Sequence, residues 1–119
     1  MKILLVDDEA DYVSTLAERL SFRGIEAKWA SGGQEALKYL ETDSYDLAVL
    51  DVKMPKIGGL ELKKEIEKKY PDMKFIYLTG HGSEDDYQKG VADSVHYLIK
   101  PVNIDDLIKM MNKVMEGKD

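Results

Sequence analysis

Short apolar runs alternate along this chain with stretches of helical period, and the alternation predicts five β/α units. Lys2 to Val6 is the first strand, stopped by Asp7-Asp8. Val13, Leu16, Ala17 and Leu20 then recur at i, i+3, i+4 and i+7 on one helix face, which ends near Gly24, a residue suited to the left-handed stop. Ile25 to Trp29 is a second strand, more polar and so nearer a sheet edge. Gly33 to Glu41 is a short amphipathic helix carrying Ala36, Leu37 and Leu40. The third strand, Leu47 to Leu50, runs into Asp51. Met54-Pro55 and Gly58-Gly59 mark a loop, and Leu62, Ile66 and Tyr70 line the next helix up to Pro71. Met73 to Leu78 is the fourth strand. The polar Thr79-Gly80-His81-Gly82 loop and a weaker helix from Glu84 to Ala92, interrupted by Gly90, lead to a fifth strand, Val95 to Ile99. After Lys100-Pro101, a stripe of Ile104, Leu107, Ile108, Met111 and Met115 predicts the last helix, with Met110, Met111 and Met115 read as core packing.

Strands joined by helices require a parallel sheet, and right-handed crossovers place helices on both of its faces. The expected architecture is an open three-layer α/β/α sandwich of five strands and five helices, with residues 1–119 forming one domain. Composition narrows the function. Seventeen Lys plus Arg against 23 Asp plus Glu leave a net charge of −6, which disfavours a nucleic-acid surface. Without cysteine there is no disulfide, thiolate metal site or thiol nucleophile. The longest apolar run, Ile3 to Val6, is far below the roughly 18 residues of a membrane span, so a cytoplasmic location with no membrane partner is the expectation.

In sheets of this type the functional crevice lies beyond the carboxyl ends of the strands. Four of the five strand ends here carry a reactive polar group: Asp7 and Asp8, Asp51, Thr79 and Lys100. At about 4 Å and an effective dielectric near 20, each pair of like charges costs on the order of 4 kcal/mol, so three carboxylates on one rim require cations. Lys100 is one. A hard divalent ion, Mg²⁺ first, suits the all-oxygen donors. A metal, a lysine and a hydroxyl around a carboxylate are the equipment of phosphoryl transfer, with Asp51 as acceptor, Asp7 and Asp8 on the metal, and Thr79 and Lys100 on phosphoryl oxygens.

The motifs Leu5-Val6-Asp7-Asp8-Glu9, Leu50-Asp51-Val52-Lys53-Met54-Pro55, Leu78-Thr79-Gly80 and Tyr97-Leu98-Ile99-Lys100-Pro101 resemble those of response-regulator receiver domains, a likeness that spans essentially the whole chain. The resemblance implies a flavodoxin-like doubly wound sheet in the order 2-1-3-4-5. It further implies that Asp51 takes a phosphoryl group from a phosphohistidine of a sensor histidine kinase. Asp8, Asp51 and the Lys53 backbone carbonyl would hold Mg²⁺, with Asp7 acting through water. Thr79 and Tyr97 would be the switch, Thr79 moving toward the phosphoryl group and Tyr97 turning inward. This would remodel the surface of the fourth helix, fifth strand and fifth helix toward a downstream protein or output domain, or a phosphorylation-dependent dimer. The domain would catalyse only its own phosphorylation and slow dephosphorylation, with no direct nucleic-acid contact. A cis bond is expected before Pro101.

Two departures concern the output surface. His96 stands where the family commonly has an acidic residue before the switch aromatic. The Thr79 to Lys100 segment is about one residue short, with Asp93-Ser94-Val95 in place of a Gly-Ala pair. Three other functions suit such a sheet. A flavin binder needs a phosphate-cradling first loop, where Asp7-Asp8-Glu9 would repel phosphate. A haloacid-dehalogenase-like phosphatase resembles this chain in its nucleophile but places an acid where Lys53 stands. A constitutive interaction module would not need the five polar residues together. Taken singly, Asp7-Asp8 could cap a helix, Asp51 could sit in a turn, Tyr97 could be packing, and His81 and His96 lack a partner at metal-ligand spacing.

Overall fold

The computed structural model describes residues 1–80 and 96–116. In chain order they form β1 (Lys2–Val6), α1 (Ala10–Phe22), β2 (Glu26–Ala30), α2 (Gly33–Thr42), β3 (Leu47–Asp51), α3 (Gly59–Lys69), β4 (Lys74–Thr79), β5 (His96–Ile99) and a C-terminal helix, α4 (Ile104–Met115). The predicted helix from Glu84 to Ala92, the first residue of the predicted fifth strand, and the residues His81, Asp93, Ser94 and Val95 lie outside the described residues.

All strand pairings are parallel, in the order β2-β1-β3-β4-β5. The three inner strands, β1, β3 and β4, read as continuous apolar runs because each of their faces is covered. Leu4, Val6, Ala48, Leu50, Phe75 and Tyr77 point to a cluster completed by α2 and α3. Ile3, Leu5, Leu47, Val49, Ile76 and Leu78 point to a second cluster completed by α1 and α4. This is the doubly wound, flavodoxin-like α/β/α arrangement. β2 is the edge strand expected from its polarity, with Glu26 and Lys28 exposed.

Local hydrogen bonds account for the element ends that differ from the expected ones. Ile25 N–H donates to the Leu20 carbonyl at 3.0 Å, so Ile25 closes α1 and β2 begins one residue later. Gly24 at that junction has φ +79°, the left-handed stop. Met73 N–H donates to the Tyr70 carbonyl at 3.1 Å, which keeps Met73 in the turn. At the far end of β4 Thr79 stays in the ladder opposite Ile99. Tyr70 lies just past α3, where its hydroxyl donates to the Leu40 carbonyl at 2.8 Å. On α4 the buried line is Leu107, Met111 and Val114, a slightly rotated version of the expected stripe. Ile104, Ile108, Met110 and Met115 flank it, partly buried against the second cluster.

Candidate functional site

The carboxyl ends of β1, β3 and β4 meet on one rim because the three strands are adjacent, parallel and in register. β1 hands the chain to Asp7, whose N–H donates to the Ala30 carbonyl at 3.1 Å and whose carboxylate is fully buried. Asp8, next in the chain, is exposed. β3 ends in Asp51, only 4% exposed, with the Lys53 N–H pointing to its Oδ1 at 3.4 Å. Carboxylate oxygens of Asp7, Asp8 and Asp51 all fall within 4.8 Å of one another.

β4 ends in Thr79, also fully buried. Its Oγ1 has no hydrogen-bond partner among the described residues, a polar group kept dry at a cost unless something it can bond arrives. The Thr79 carbonyl accepts the Lys100 N–H at 2.8 Å, which ties the loop after β5 to the same rim. The Lys100-Pro101 bond is cis, as expected. From there Lys100 Nζ reaches 2.9 Å from Asp7 Oδ2, 2.6 Å from Glu9 Oε1 and 3.5 Å from Asp51 Oδ2.

One ammonium against this many carboxylates leaves the rim short of positive charge. Burial, then the charge of Asp7, then a hydrogen bond with Asp8 push the Asp51 carboxyl up to about 7, against the partial relief of Lys100. Burial alone would pull Lys100 down. Its hydrogen bonds to Glu9 and Asp7, with the charges of Asp7 and Asp51, outweigh that and hold it above the ordinary lysine value. The donor set is all oxygen, clustered and under-neutralised, so it fits a hard divalent cation.

Five of the expected site residues, Asp7, Asp8, Asp51, Thr79 and Lys100, therefore share one rim, with Lys53 beside them. Tyr97 is elsewhere. It pairs in register with Tyr77 on β4 and packs, partly buried, against the cluster covered by α2 and α3. Two residues that the sequence did not single out as site residues stand against Lys100. Glu9 holds the shortest contact to Lys100, a possibility contained in the run Asp7-Asp8-Glu9. Tyr12 lies with its ring centroid 5.3 Å from Lys100 Nζ and accepts the Val102 N–H at 3.1 Å, for which no sequence signal exists. Burial raises the Tyr12 phenol pKa despite that hydrogen bond and the nearby Lys100.

Comparison with known proteins agrees with this geometry. The family model for the response regulator receiver domain matches residues 3–112. Transcriptional regulatory protein GlrR of Escherichia coli K12 is 35% identical over 115 residues, covering 96% of this chain and 26% of GlrR. Response regulator MprA of Mycolicibacterium vanbaalenii is 33% identical over 116 residues, covering 97% of this chain and 50% of MprA. The chain thus spans a quarter to a half of these relatives. Among solved structures, a response regulator receiver domain protein from Clostridium thermocellum superposes with a TM-score of 0.87 at 35% identity, covering 98% of this chain and 94% of the other. Response regulator TrrA of Thermotoga maritima, solved in complex with Mg²⁺-BeF, superposes with a TM-score of 0.81 at 38% identity, covering 95% and 97%. Motif order, strand order and the acidic rim all lead to the same place, and the chain belongs to the response-regulator receiver-domain family.

Proposed function

We propose that residues 1–119 act as one receiver unit in which Asp51 accepts a phosphoryl group from a phosphohistidine of a sensor histidine kinase. The observation that carries this is the fully buried Thr79 hydroxyl, which lacks a hydrogen-bond partner among the described residues at the strand end next to Asp51. A carboxylate at the end of a strand, a lysine ammonium 3.5 Å from it and an unused hydroxyl beside it form a receptacle for a tetrahedral anion.

In the transfer an Asp51 oxygen attacks phosphorus. The P–O bond forms as the P–N bond to the histidine breaks, and the imidazole leaves with its electron pair and takes up a proton. Thr79 donates to one phosphoryl oxygen and Lys100 to another. Asp8, Asp51 and the Lys53 carbonyl would hold Mg²⁺, with Asp7 acting through water. When bound, the ion supplies neutralisation of the carboxylates and of the incoming phosphoryl oxygens. TrrA, solved with Mg²⁺-BeF, supports this choice of ion.

Movement of Thr79 and Tyr97 would carry the signal to a downstream protein, an output domain or a phosphorylation-dependent dimer, leaving any nucleic-acid contact to other domains. No helix among the described residues is long and apolar enough to cross a membrane, which is compatible with a cytoplasmic site of action. The test is intact-mass measurement after treatment with acetyl phosphate and Mg²⁺. Wild type should gain one phosphate and Asp51→Asn none; equal labelling of both would refute Asp51 as acceptor.

A further inference from the structure

Three carboxylates already take up the three ammonium protons of Lys100, so a further acceptor must displace one of them, and they differ in how firmly they are held. Asp7 and Asp51 are locked in the sheet rim, with side chains 1% and 6% exposed. Glu9 is 62% exposed and yet makes the shortest contact, 2.6 Å. Glu9 also stands at the N-cap of α1 without capping it: its side chain makes no bond to the helix, and its N–H is taken by Asp7 Oδ1 at 2.9 Å. The side chain is committed to Lys100 instead.

We infer that Glu9 is a positioning residue that holds the Lys100 ammonium back from Asp51 until a phosphoryl oxygen displaces it, an inference that rests on Asp51 being the phosphoacceptor. The backbone of Lys100 is pinned by its N–H to the Thr79 carbonyl, so only the head of the side chain has room to exchange partners. Asp7, buried, cannot leave; Glu9 can turn into water, where its charge is well solvated. The Tyr12 ring, 5.3 Å from Nζ, flanks the ammonium as the head shifts. A phosphoryl group arriving on Asp51 therefore competes with Glu9 for the same ammonium, and removing the competitor leaves Lys100 available before the donor binds.

The test compares initial rates of labelling by acetyl phosphate with Mg²⁺ in wild type, Glu9→Gln, Lys100→Met and the double variant. Glu9→Gln keeps the shape of an exposed side chain and should raise the rate about threefold, in line with the modest strength of a half-exposed ion pair. In the Lys100→Met background the same substitution should change nothing. A second readout needs neither metal nor donor: the ¹⁵N–¹H ammonium resonance of Lys100 in metal-free protein should move in Glu9→Gln. Equal rates for wild type and Glu9→Gln, an undiminished effect without Lys100, or an unmoved ammonium resonance would each overturn the role of Glu9 while leaving Asp51 as acceptor. A wild type that takes no phosphate at Asp51 would instead remove the premise, and the inference with it.

Discussion

The backbone carbonyl of Asp51 occupies the space that a β-carbon on Gly59 would need. The first residue of α3 is thereby docked directly on the last residue of β3, and its N–H reaches back to the Val52 carbonyl at 3.0 Å. This close approach, open only to a residue without a side chain, relates a glycine with no chemistry of its own to the backbone that carries the central carboxylate.

Gly59→Ala should therefore damage both stability and the site. Overpacking against backbone cannot relax by a rotamer change, so a loss of about 2 kcal/mol or more is expected in urea unfolding, together with slower acetyl phosphate labelling. An unchanged unfolding midpoint would mean that α3 withdraws from Asp51 without cost.

Lys56 should respond in the opposite sense. It is a non-glycine residue with positive φ, 69°, in the same β3–α3 loop, a conformation in which a side chain crowds its own backbone. Lys56→Gly removes that crowding but adds freedom to the unfolded chain, for a net gain of about 0.5–1 kcal/mol. A loss of stability in Lys56→Gly would show that the lysine side chain contributes more than its backbone costs.

The raised Asp51 pKa makes the stability of metal-free protein depend on pH in an unusual direction for a carboxylate. Between about pH 4 and pH 7 the native state keeps a proton on Asp51 that the unfolded chain releases, so the contribution of this group is full at low pH and is lost as pH rises through about 7. Asp51→Asn lacks that loss. Its stability advantage over wild type should widen across this window in EDTA, by up to about 4 kcal/mol at pH 8. Mg²⁺ at about 100 times its Kd should return about 2.7 kcal/mol to wild type and much less to Asp51→Asn. Parallel pH curves for the two proteins would contradict the charge-starved rim.

The cap of the C-terminal helix provides a control that makes no bond to the acidic cluster. Asn103 caps α4 with its side-chain oxygen, which accepts from the N–H groups of Asp105 at 2.8 Å and Asp106 at 3.1 Å. Asn103→Ala should cost about 1 kcal/mol, while Asn103→Asp retains most of the cap. Because the cap touches none of the rim carboxylates, phosphate uptake at Asp51 should be unaffected in both variants. A labelling defect in Asn103→Ala would indicate that α4 is coupled to the rim.

Much of this molecule was legible before any coordinates. The inner strands are buried on both sides, so Ile3 to Val6, Leu47 to Leu50 and Phe75 to Leu78 stand out as unbroken apolar runs, and the helices betray their inner faces by period. The acidic rim was legible too, since parallel strands must deliver Asp7, Asp51 and Thr79 to the same edge. Strand limits were less so. Whether Ile25 joins β2 or closes α1 depends on a hydrogen bond to Leu20, and hydropathy does not distinguish the two.

Which partners each polar group takes was beyond the reach of pattern. Lys100 could have met any of several carboxylates. Its choice of Glu9, 91 positions away, follows from the path of the loop after β5 and from a Glu9 side chain that makes no capping bond to α1. The same holds for the Thr79 hydroxyl, without a hydrogen-bond partner among the described residues, and for the carbonyl of Asp51 close against Gly59. Periodicity and residue type specify which elements form and which strand ends carry charge, because burial depends on averages over whole faces. Distances of a few ångströms between single atoms depend on how those faces dock, and only the packed chain sets them.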